Sequence, residues 1–282
     1  MTRELLNLLE SKVYKSNTIG VYENLYKRLL SKTNKPLTEC EPEKVIEVLN
    51  EQYPNINSRW TALNLVVMIL SCHNHDIKPY LEYRNILTDI KDEYVTKCLE
   101  DKHHTLPTYE SFIEKLNMVT DPTKYVINFL LINYGLRNLD LDIYITQNKE
   151  DIVDRKEEHK QNIALVGTDS TSLFIDNYKT FSTYGRKVIH ITNEKFQHNI
   201  KQLIGHYLLR KQNGEHMTSS IATIIKRNTI FNLPESSVFK IIMMWVKRQP
   251  SVRTLMKEYS KTRGTNMGTM IQYYTPECRI KN

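Results

Sequence analysis

The first hundred residues carry apolar positions at helical spacing. Apolar side chains recur every three or four residues after Ser16 and again after Pro42, with polar residues between them. The segment 60–70 is apolar on nearly every side, which predicts a central buried helix with amphipathic helices packed around it. The polar stretch 101–108 interrupts the pattern and predicts a linker. Residues 1–104 are therefore predicted to form one helical domain.

The period of the pattern changes from helical to alternating after Arg137. Helices are predicted over 109–119 and 121–132, and short strands of an antiparallel sheet over 139–145, 173–178 and 186–191. From Thr192 to the end the apolar spacing is helical again, with Pro234 and Pro250 as start signals. Residues 105–282 are predicted to form a second domain, and the whole chain is predicted to be mainly α with a small antiparallel β-sheet.

The distribution of charge indicates a polyanionic partner. The 282 residues hold 39 Lys and Arg against 32 Asp and Glu, a net charge of +7 with a pI near 9.0. Residues 1–100 are nearly balanced, with 13 basic and 14 acidic side chains, whereas residues 221–282 hold 11 basic and 3 acidic ones. Neutralising phosphates is the commonest use of such a basic block. The C-terminal part of the chain is therefore expected to face a polyanion.

Several other classes of protein lack support in the sequence. The mean hydropathy is −0.49, no apolar run approaches the roughly 18 residues of a membrane helix, and the first residues show no signal-peptide pattern. Neither GxxxxGK(S/T) nor GxGxxG occurs, so no nucleotide cofactor is predicted. The four cysteines are scattered and fit neither a disulfide framework nor a zinc site. No metal or other cofactor is predicted.

Three motifs of the second domain resemble those of a known family. Residues 135–140 read Gly-Leu-Arg-Asn-Leu-Asp and end a predicted helix, and residues 177–191 read as a hairpin rich in basic and aromatic side chains. Residues 264–275 read Gly-Thr-Asn-Met-Gly-Thr-Met-Ile-Gln-Tyr-Tyr-Thr. In order, spacing and context these motifs resemble the catalytic motifs of the tyrosine recombinases. That integrase-type family breaks and rejoins DNA through a covalent 3′-phosphotyrosine intermediate.

The resemblance implies a fold and a reaction for nearly the whole chain. The first domain is similar to the helical core-binding domain that clamps DNA, and the second to the family's α+β catalytic domain. By the same resemblance Arg137 would bind the scissile phosphate and Lys179 would protonate the leaving 5′ oxygen. Tyr274 would be the nucleophile, with Tyr273 as the next candidate. The implied function is site-specific DNA recombination or integration without a cofactor.

Three positions depart from the family's pattern. Ser237 stands where the family carries a histidine, and Thr265 stands where it carries the next one. Lys240 stands at the second catalytic arginine, where an ammonium offers a point charge without the guanidinium fork. Two alternatives therefore stay open. One is a catalytically inactive DNA-binding structural protein of the same fold, and the other is a type IB topoisomerase-like enzyme.

The resemblance also implies partners and a location. The basic residues expected to contact double-stranded DNA are Lys12, Lys15, Lys27, Arg28, Lys187, Lys257, Lys261 and Arg263. Strand exchange implies self-association on DNA as a dimer or tetramer, without membrane or nucleotide partners. The expected location is intracellular, wherever the DNA is, or a virion if the protein is viral. The Asn-, Ile-, Lys- and Tyr-rich composition is typical of an AT-rich genome, such as that of a mobile element or a large virus.

Overall fold

A computed structural model shows the chain as two compact units, Met1–Asp101 and Lys102–Asn282. The described residues are 16–103, 106–152, 161–178, 180–211, 214–217 and 220–274, and for 16–17, 91–92, 94–103 and 272–274 the backbone alone is described. Three residues singled out in the sequence, Lys12, Lys15 and Lys179, lie outside the described residues. Among the helices described, none is long and apolar enough to cross a membrane.

The first unit is built of helices around a central one. Its described α-helices are α1 (Ser16–Thr33), α2 (Pro42–Gln52), α3 (Ile56–Cys72) and α4 (Lys78–His103). Eight residues of α3 are buried, which confirms the central helix expected from the all-round apolar pattern. The side chain of Asn55 starts α3 by accepting hydrogen bonds from the backbone N–H groups of Asn57 and Ser58.

Helix α1 separates apolar and basic side chains. Tyr26 and Leu29 are buried in the core of the first unit, whereas Lys27 and Arg28 between them are exposed. The Tyr53 hydroxyl donates a hydrogen bond of 3.2 Å to the Leu25 carbonyl oxygen and ties α1 to the end of α2. Two of the basic residues expected to contact DNA therefore lie in solvent. Their contact with DNA stays a prediction.

The second unit packs its helices around α6 and a small sheet. Its described α-helices are α5 (Tyr109–Asn117), α6 (Pro122–Tyr134), α7 (Phe181–Tyr184), α8 (Glu194–Lys201), α9 (Ile221–Asn228), α10 (Glu235–Val246), α11 (Val252–Arg263) and α12 (Met267–Tyr274). Every residue of α6 from 125 to 132 is buried. Asn128 belongs to this stretch, and its amide donates to the Asn228 carbonyl oxygen and accepts from the Ile230 N–H. This buried amide holds the end of α9 against α6.

The sheet is mixed rather than antiparallel. Its strands β1 (Ile143–Thr146), β2 (Asn162–Val166), β3 (Thr171–Ile175) and β4 (Lys187–Ile191) lie in the order β1-β2-β3-β4. Strands β1 and β2 pair in parallel, whereas β2 with β3 and β3 with β4 pair antiparallel. The predicted class, mainly α with a small sheet, is confirmed, and the prediction of a purely antiparallel sheet is wrong for this pair. Strand β2 escaped prediction because three consecutive residues, 162–164, are buried, so its pattern does not alternate.

The apolar spacing predicts that the chain after α8 continues as helix, but the structure shows an extended segment there. The Gly205 N–H donates to the Ile145 carbonyl oxygen and the Leu208 N–H to the Ile143 carbonyl oxygen, each at 2.8 Å. Tyr207 forms an antiparallel bridge with Tyr144. This extended segment covers the edge of β1, because backbone groups at an open strand edge gain hydrogen bonds that a helix there would leave unmade.

Candidate functional site

Helix α6 ends in a turn that requires glycine. Gly135 has φ +61° and ψ +31°, the left-handed conformation of a helix C-cap, and its N–H donates to the Leu131 carbonyl oxygen. A β-carbon at this position would lie 2.6 Å from Phe239 Cε2, closer than two carbons approach in proteins. The turn therefore packs its backbone on the Phe239 ring. Arg137 follows two residues later with extended backbone, φ −86° and ψ 164°.

Asp140 holds the backbone of Arg137 from the other side. Its Oδ2 atom accepts a hydrogen bond of 3.1 Å from the Arg137 N–H across a short 3-10 turn. The Asp140 side chain is fully buried, and its Oδ1 atom has no hydrogen-bond donor among the described residues. Burial raises the pKa of Asp140, while the charge of Lys187 and the Arg137 N–H oppose the rise.

Lys187 is a buried partner of this carboxylate. Its Nζ atom lies 3.5 Å from Asp140 Oδ2 and 3.6 Å from the centroid of the Tyr178 ring. Burial lowers the pKa of Lys187, and the positive charges of Arg137 and Arg263 lower it further, against the raising effect of Asp140. Only 9% of the residue is exposed, because it starts β4 with its side chain toward the core. The structure therefore buries Lys187, and its contact with DNA stays a prediction.

Arg263, the last residue of α11, is also buried. Its Nη1 atom donates a hydrogen bond of 2.8 Å to the Gly135 carbonyl oxygen, and Nη2 lies 2.6 Å from Glu235 Oε1. The guanidinium covers the Phe239 ring, 3.9 Å from its centroid. Only 2% of the residue is exposed, and its contact with DNA stays a prediction. In the interior a helix-end carbonyl pairs with its Nη1 atom and an acid with its Nη2 atom.

The β3–β4 connection meets the start of the tyrosine-bearing segment at Gly264. The Thr180 hydroxyl donates to the Gly264 carbonyl oxygen at 2.8 Å. Gly264 has φ +60°, and a β-carbon there would lie 2.8 Å from Thr180 Oγ1 and 3.2 Å from Lys187 Cε. The Tyr178 hydroxyl closes the connection by donating to the Gly185 carbonyl oxygen at 2.6 Å. The segment leading into α12 is thus held beside Lys187.

Asn162 ties the arginine turn to the same connection. Its Nδ2 atom donates to the Leu139 carbonyl oxygen at 3.0 Å, and its Oδ1 atom accepts from the N–H groups of Asp176 and Asn177 at 3.0 and 2.7 Å. The residue is fully buried, so these bonds satisfy an amide that would otherwise be costly to bury. A polar residue that begins an apolar strand was the one sequence signal for this role.

We call Arg137, Asp140, Lys187, Glu235 and Arg263 the cationic cluster. It holds three cations against two carboxylates. Lys187 pairs with Asp140 and Arg263 pairs with Glu235, so Arg137 carries the excess charge. The Arg137 Nη1 atom is buried and has no hydrogen-bond acceptor among the described residues. A buried guanidinium nitrogen without an acceptor is unfavourable, and an anionic oxygen would satisfy it.

The predicted tyrosines and Thr265 lie on or beside one helix. Thr265 is half-buried and follows Gly264 directly, two residues before α12 begins. Tyr273 and Tyr274 are the last two residues of α12, and their side chains lie outside the described residues. Lys179 is also outside the described residues. Convergence of either tyrosine or of Lys179 with Arg137 therefore stays a prediction.

Lys240 does not share the face of α10 that meets the cluster. Glu235 and Phe239 contact Arg263 from one face of that helix. Lys240 lies five residues after Glu235, about 140° around the helix at 3.6 residues per turn. The residue is half-buried, as is Ser237. The guanidinium beside the Arg137 turn thus comes from Arg263, which the sequence motifs did not single out for that place.

The remaining predicted DNA contacts of the second unit are in solvent. Lys257 and Lys261 are both exposed on α11, the helix that ends at the buried Arg263. The pairing of Glu235 with Arg263 had no signal in the sequence, because the two residues lie far apart in the chain. Their contact depends on the packing of α10 against α11.

The similarity of this chain to known proteins is limited to solved structures. No protein-family model matches it, and no curated protein sequence matches it. Among solved structures it is similar to XerA recombinase, with 14% identity and a TM-score of 0.36 over 97% of this chain and 94% of that chain.

Proposed function

We propose that this chain binds double-stranded DNA and cleaves and rejoins it through a phosphotyrosine, as a site-specific recombinase or integrase. The observation that supports the proposal is the state of Arg137. It is the uncompensated cation of the cationic cluster, and its buried Nη1 atom lacks an acceptor among the described residues. A phosphodiester has two non-bridging oxygens that share one negative charge, in the geometry that a guanidinium binds.

The proposed reaction is a transesterification. The Tyr274 oxygen forms a bond to phosphorus, the bond from phosphorus to the 5′ oxygen breaks, and Lys179 gives that oxygen a proton. The phenolic proton passes to solvent. Negative charge on the non-bridging oxygens is stabilised by Arg137, a contribution that in other enzymes is worth about 10²–10³ in rate. The phosphotyrosine conserves the energy of the phosphodiester, so the reverse reaction rejoins the strand.

DNA affinity would come from other residues. Lys27 and Arg28 on α1, and Lys257 and Lys261 on α11, are exposed cations that suit phosphate contacts along a duplex. Strand exchange joins two duplexes through several cleavages, so we propose that protomers assemble as a dimer or tetramer on DNA. The chemistry would then be local to each Arg137, and binding would be spread over many contacts.

The test is covalent trapping on nicked suicide duplexes, drawn from pools of random sequence. Wild type should yield a DNA adduct that survives denaturation. Arg137→Ala should lower adduct formation by about 10²–10³ while its DNA affinity stays within about tenfold. Arg253→Ala removes an exposed arginine from α11 and serves as the matched control, with adduct formation unchanged. Equal loss of binding and cleavage in Arg137→Ala would contradict a role in the chemistry.

A second candidate is a DNA-binding protein of the same fold without turnover. The arrangement of α10 favours it, because Lys240 lies off the face that meets the cluster and Glu235 neutralises Arg263 there. Neither Ser237 nor Thr265 supplies an imidazole. This candidate predicts salt-dependent DNA binding with no adduct on any pool. The trapping experiment on wild type separates the two candidates.

A further inference from the structure

We infer that Arg263 is a positioning residue for Arg137, an inference that rests on the proposed function of Arg137 as the phosphate-binding group. In this role Arg263 supports Arg137 and makes no contact with the phosphate itself. It holds the turn at the end of α6, so that the Arg137 guanidinium is aimed before any ligand arrives. Preorganised donors of this kind lose little on binding an anion.

The first contact is with the end of α6. The last carbonyl groups of a helix lack intrahelical donors. Arg263 Nη1 donates a hydrogen bond of 2.8 Å to the carbonyl oxygen of Gly135. A cation at a helix C-terminus also complements its partial negative charge. Gly135 is two residues before Arg137, so this bond fixes the point from which the Arg137 backbone departs. Asp140 fixes the other side through the Arg137 N–H at 3.1 Å.

The second contact anchors the guanidinium itself. Arg263 Nη2 lies 2.6 Å from Glu235 Oε1, with 3% and 10% of the two side chains exposed. Phe239, one turn after Glu235 on α10, lies under the guanidinium and against the Gly135 backbone. A planar fork is needed to reach Gly135 and Glu235 at once, which a lysine ammonium reaches less well. Arg263 therefore locks α6, α10 and the end of α11 in one arrangement.

The test measures Arg137 directly and cleavage separately. The Nε–Hε NMR signal of Arg137 in arginine-labelled protein, assigned by its loss in Arg137→Lys, is titrated with inorganic phosphate. Single-turnover cleavage of nicked DNA is measured in parallel. The variants are Arg263→Lys, which keeps the charge, and the double variant Glu235→Gln with Arg263→Gln, which leaves no unpaired buried charge. Arg253→Gln on the exposed side of α11 is the matched control.

Arg263→Lys should weaken phosphate binding at Arg137 about threefold and slow cleavage about tenfold. The double variant should weaken phosphate binding about tenfold and slow cleavage about a hundredfold. A displacement of the guanidinium by about 1 Å can cost that much in rate. Both should unfold at nearly the wild-type temperature and bind DNA with nearly wild-type affinity. Rescue in part by lysine distinguishes positioning from mere support of the fold.

Two results would overturn the inference. Unchanged phosphate binding and cleavage in both variants, with or without a lower melting temperature, would leave Arg263 a structural residue only. An Arg137 signal that ignores phosphate in wild type would overturn the phosphate site and this inference together. If wild type binds phosphate, the variants weaken that binding and no protein cleaves DNA, the positioning role stands and the proposed catalysis fails.

Discussion

Asp140 and Lys187 are two charges that the interior holds only as a pair. Their side chains are almost entirely buried, and the Asp140 Oδ2 atom is shared between Lys187 Nζ and the Arg137 N–H. Burial opposes the charge of each residue, raising the pKa of the acid and lowering that of the lysine. Their mutual attraction opposes both pKa shifts. Arg137 depends on this pair for the orientation of its backbone.

Lys187→Met should leave Asp140 buried without its partner. Breaking a buried pair from one side typically lowers the free energy of unfolding by about 3–5 kcal/mol. The pKa of Asp140, already raised by burial, should rise further, so the folded state binds its proton more tightly than the unfolded state. Relative to wild type, the free energy of unfolding should therefore fall as the pH rises above about 4.

Urea unfolding of Lys187→Met and wild type between pH 4 and pH 8 measures this difference. Adding Asp140→Asn to the variant should remove the contribution of Asp140 to the pH dependence of the free energy of unfolding, because no titrating group is left in the pair. A deficit of the same size across the whole pH range would show that Asp140 is not the group left uncompensated.

Tyr274→Phe should eliminate the covalent adduct while keeping the fold and DNA binding, since only the phenolic oxygen is removed. Tyr273→Phe should be nearly silent, because the spacing from Gly264 to Tyr274 fits the resembled motif better than a register one residue shorter. Trapping on nicked suicide duplexes compares the two variants. The reverse result would make Tyr273 the nucleophile and shift the register of the motif by one residue. The family's histidine would then match Gly264 instead of Thr265.

At the scale of elements, the end of α6 is where three helices meet. Gly135 lets α6 stop in a left-handed turn, Phe239 of α10 packs on that turn, and Arg263 of α11 hydrogen-bonds to it. The contacts with Phe239 and Arg263 are distant in sequence. The turn that aims Arg137 is therefore sensitive to the packing of α10 and α11.

Gly135→Ala should test this packing. Alanine at φ +61° costs about 1–2 kcal/mol in backbone strain, and its methyl group, 2.6 Å from Phe239 Cε2, adds about 1–3 kcal/mol of overpacking. Gly205→Ala is the matched control, since it has φ +83° but no atom within 4 Å of an added methyl group. Urea unfolding should show a larger loss of stability for Gly135→Ala. Equal losses would mean that the Phe239 contact adds nothing.

At the scale of the whole molecule, charge is divided between the interior and the surface. Lys187 and Arg263 are neutralised inside the second unit, whereas Lys257 and Lys261 on α11 and Lys27 and Arg28 on α1 are in solvent. Of the net +7, the exposed part is what a DNA duplex would meet. Phosphate neutralisation of that kind releases counterions from DNA.

DNA affinity should therefore fall steeply as salt rises from about 50 to 200 mM. Lys257→Gln with Lys261→Gln should lower the slope of log affinity against log salt by about 0.9 for each phosphate that the protein no longer neutralises. Lys44→Gln removes an exposed lysine that pairs with Glu47 on α2, and it should leave the slope unchanged. A wild-type affinity for DNA that barely changes over this salt range would contradict the proposal that the protein binds DNA.

The pattern of side chains determined the local structure. The buried helix α3, the change to strands after Arg137 and the class of mainly α with a small sheet follow from apolar spacing, because spacing decides which face of an element can be buried. The motif 135–140 likewise marked Arg137 before the turn that presents it was known. Turn residues such as Gly135 act on their own neighbours, so the sequence carries their effect directly.

Only the tertiary structure decided which charges meet. Asp140 pairs with Lys187 across 47 positions of the chain, and Arg263 reaches Gly135 across 128. Lys187 and Arg263 look like surface cations in the sequence, because periodicity does not say which distant side chain will neutralise a buried charge. The parallel pairing of β1 with β2 was equally beyond the pattern, since partner and direction depend on how the connecting chain packs. These pairings depend on which residues the fold brings together in space.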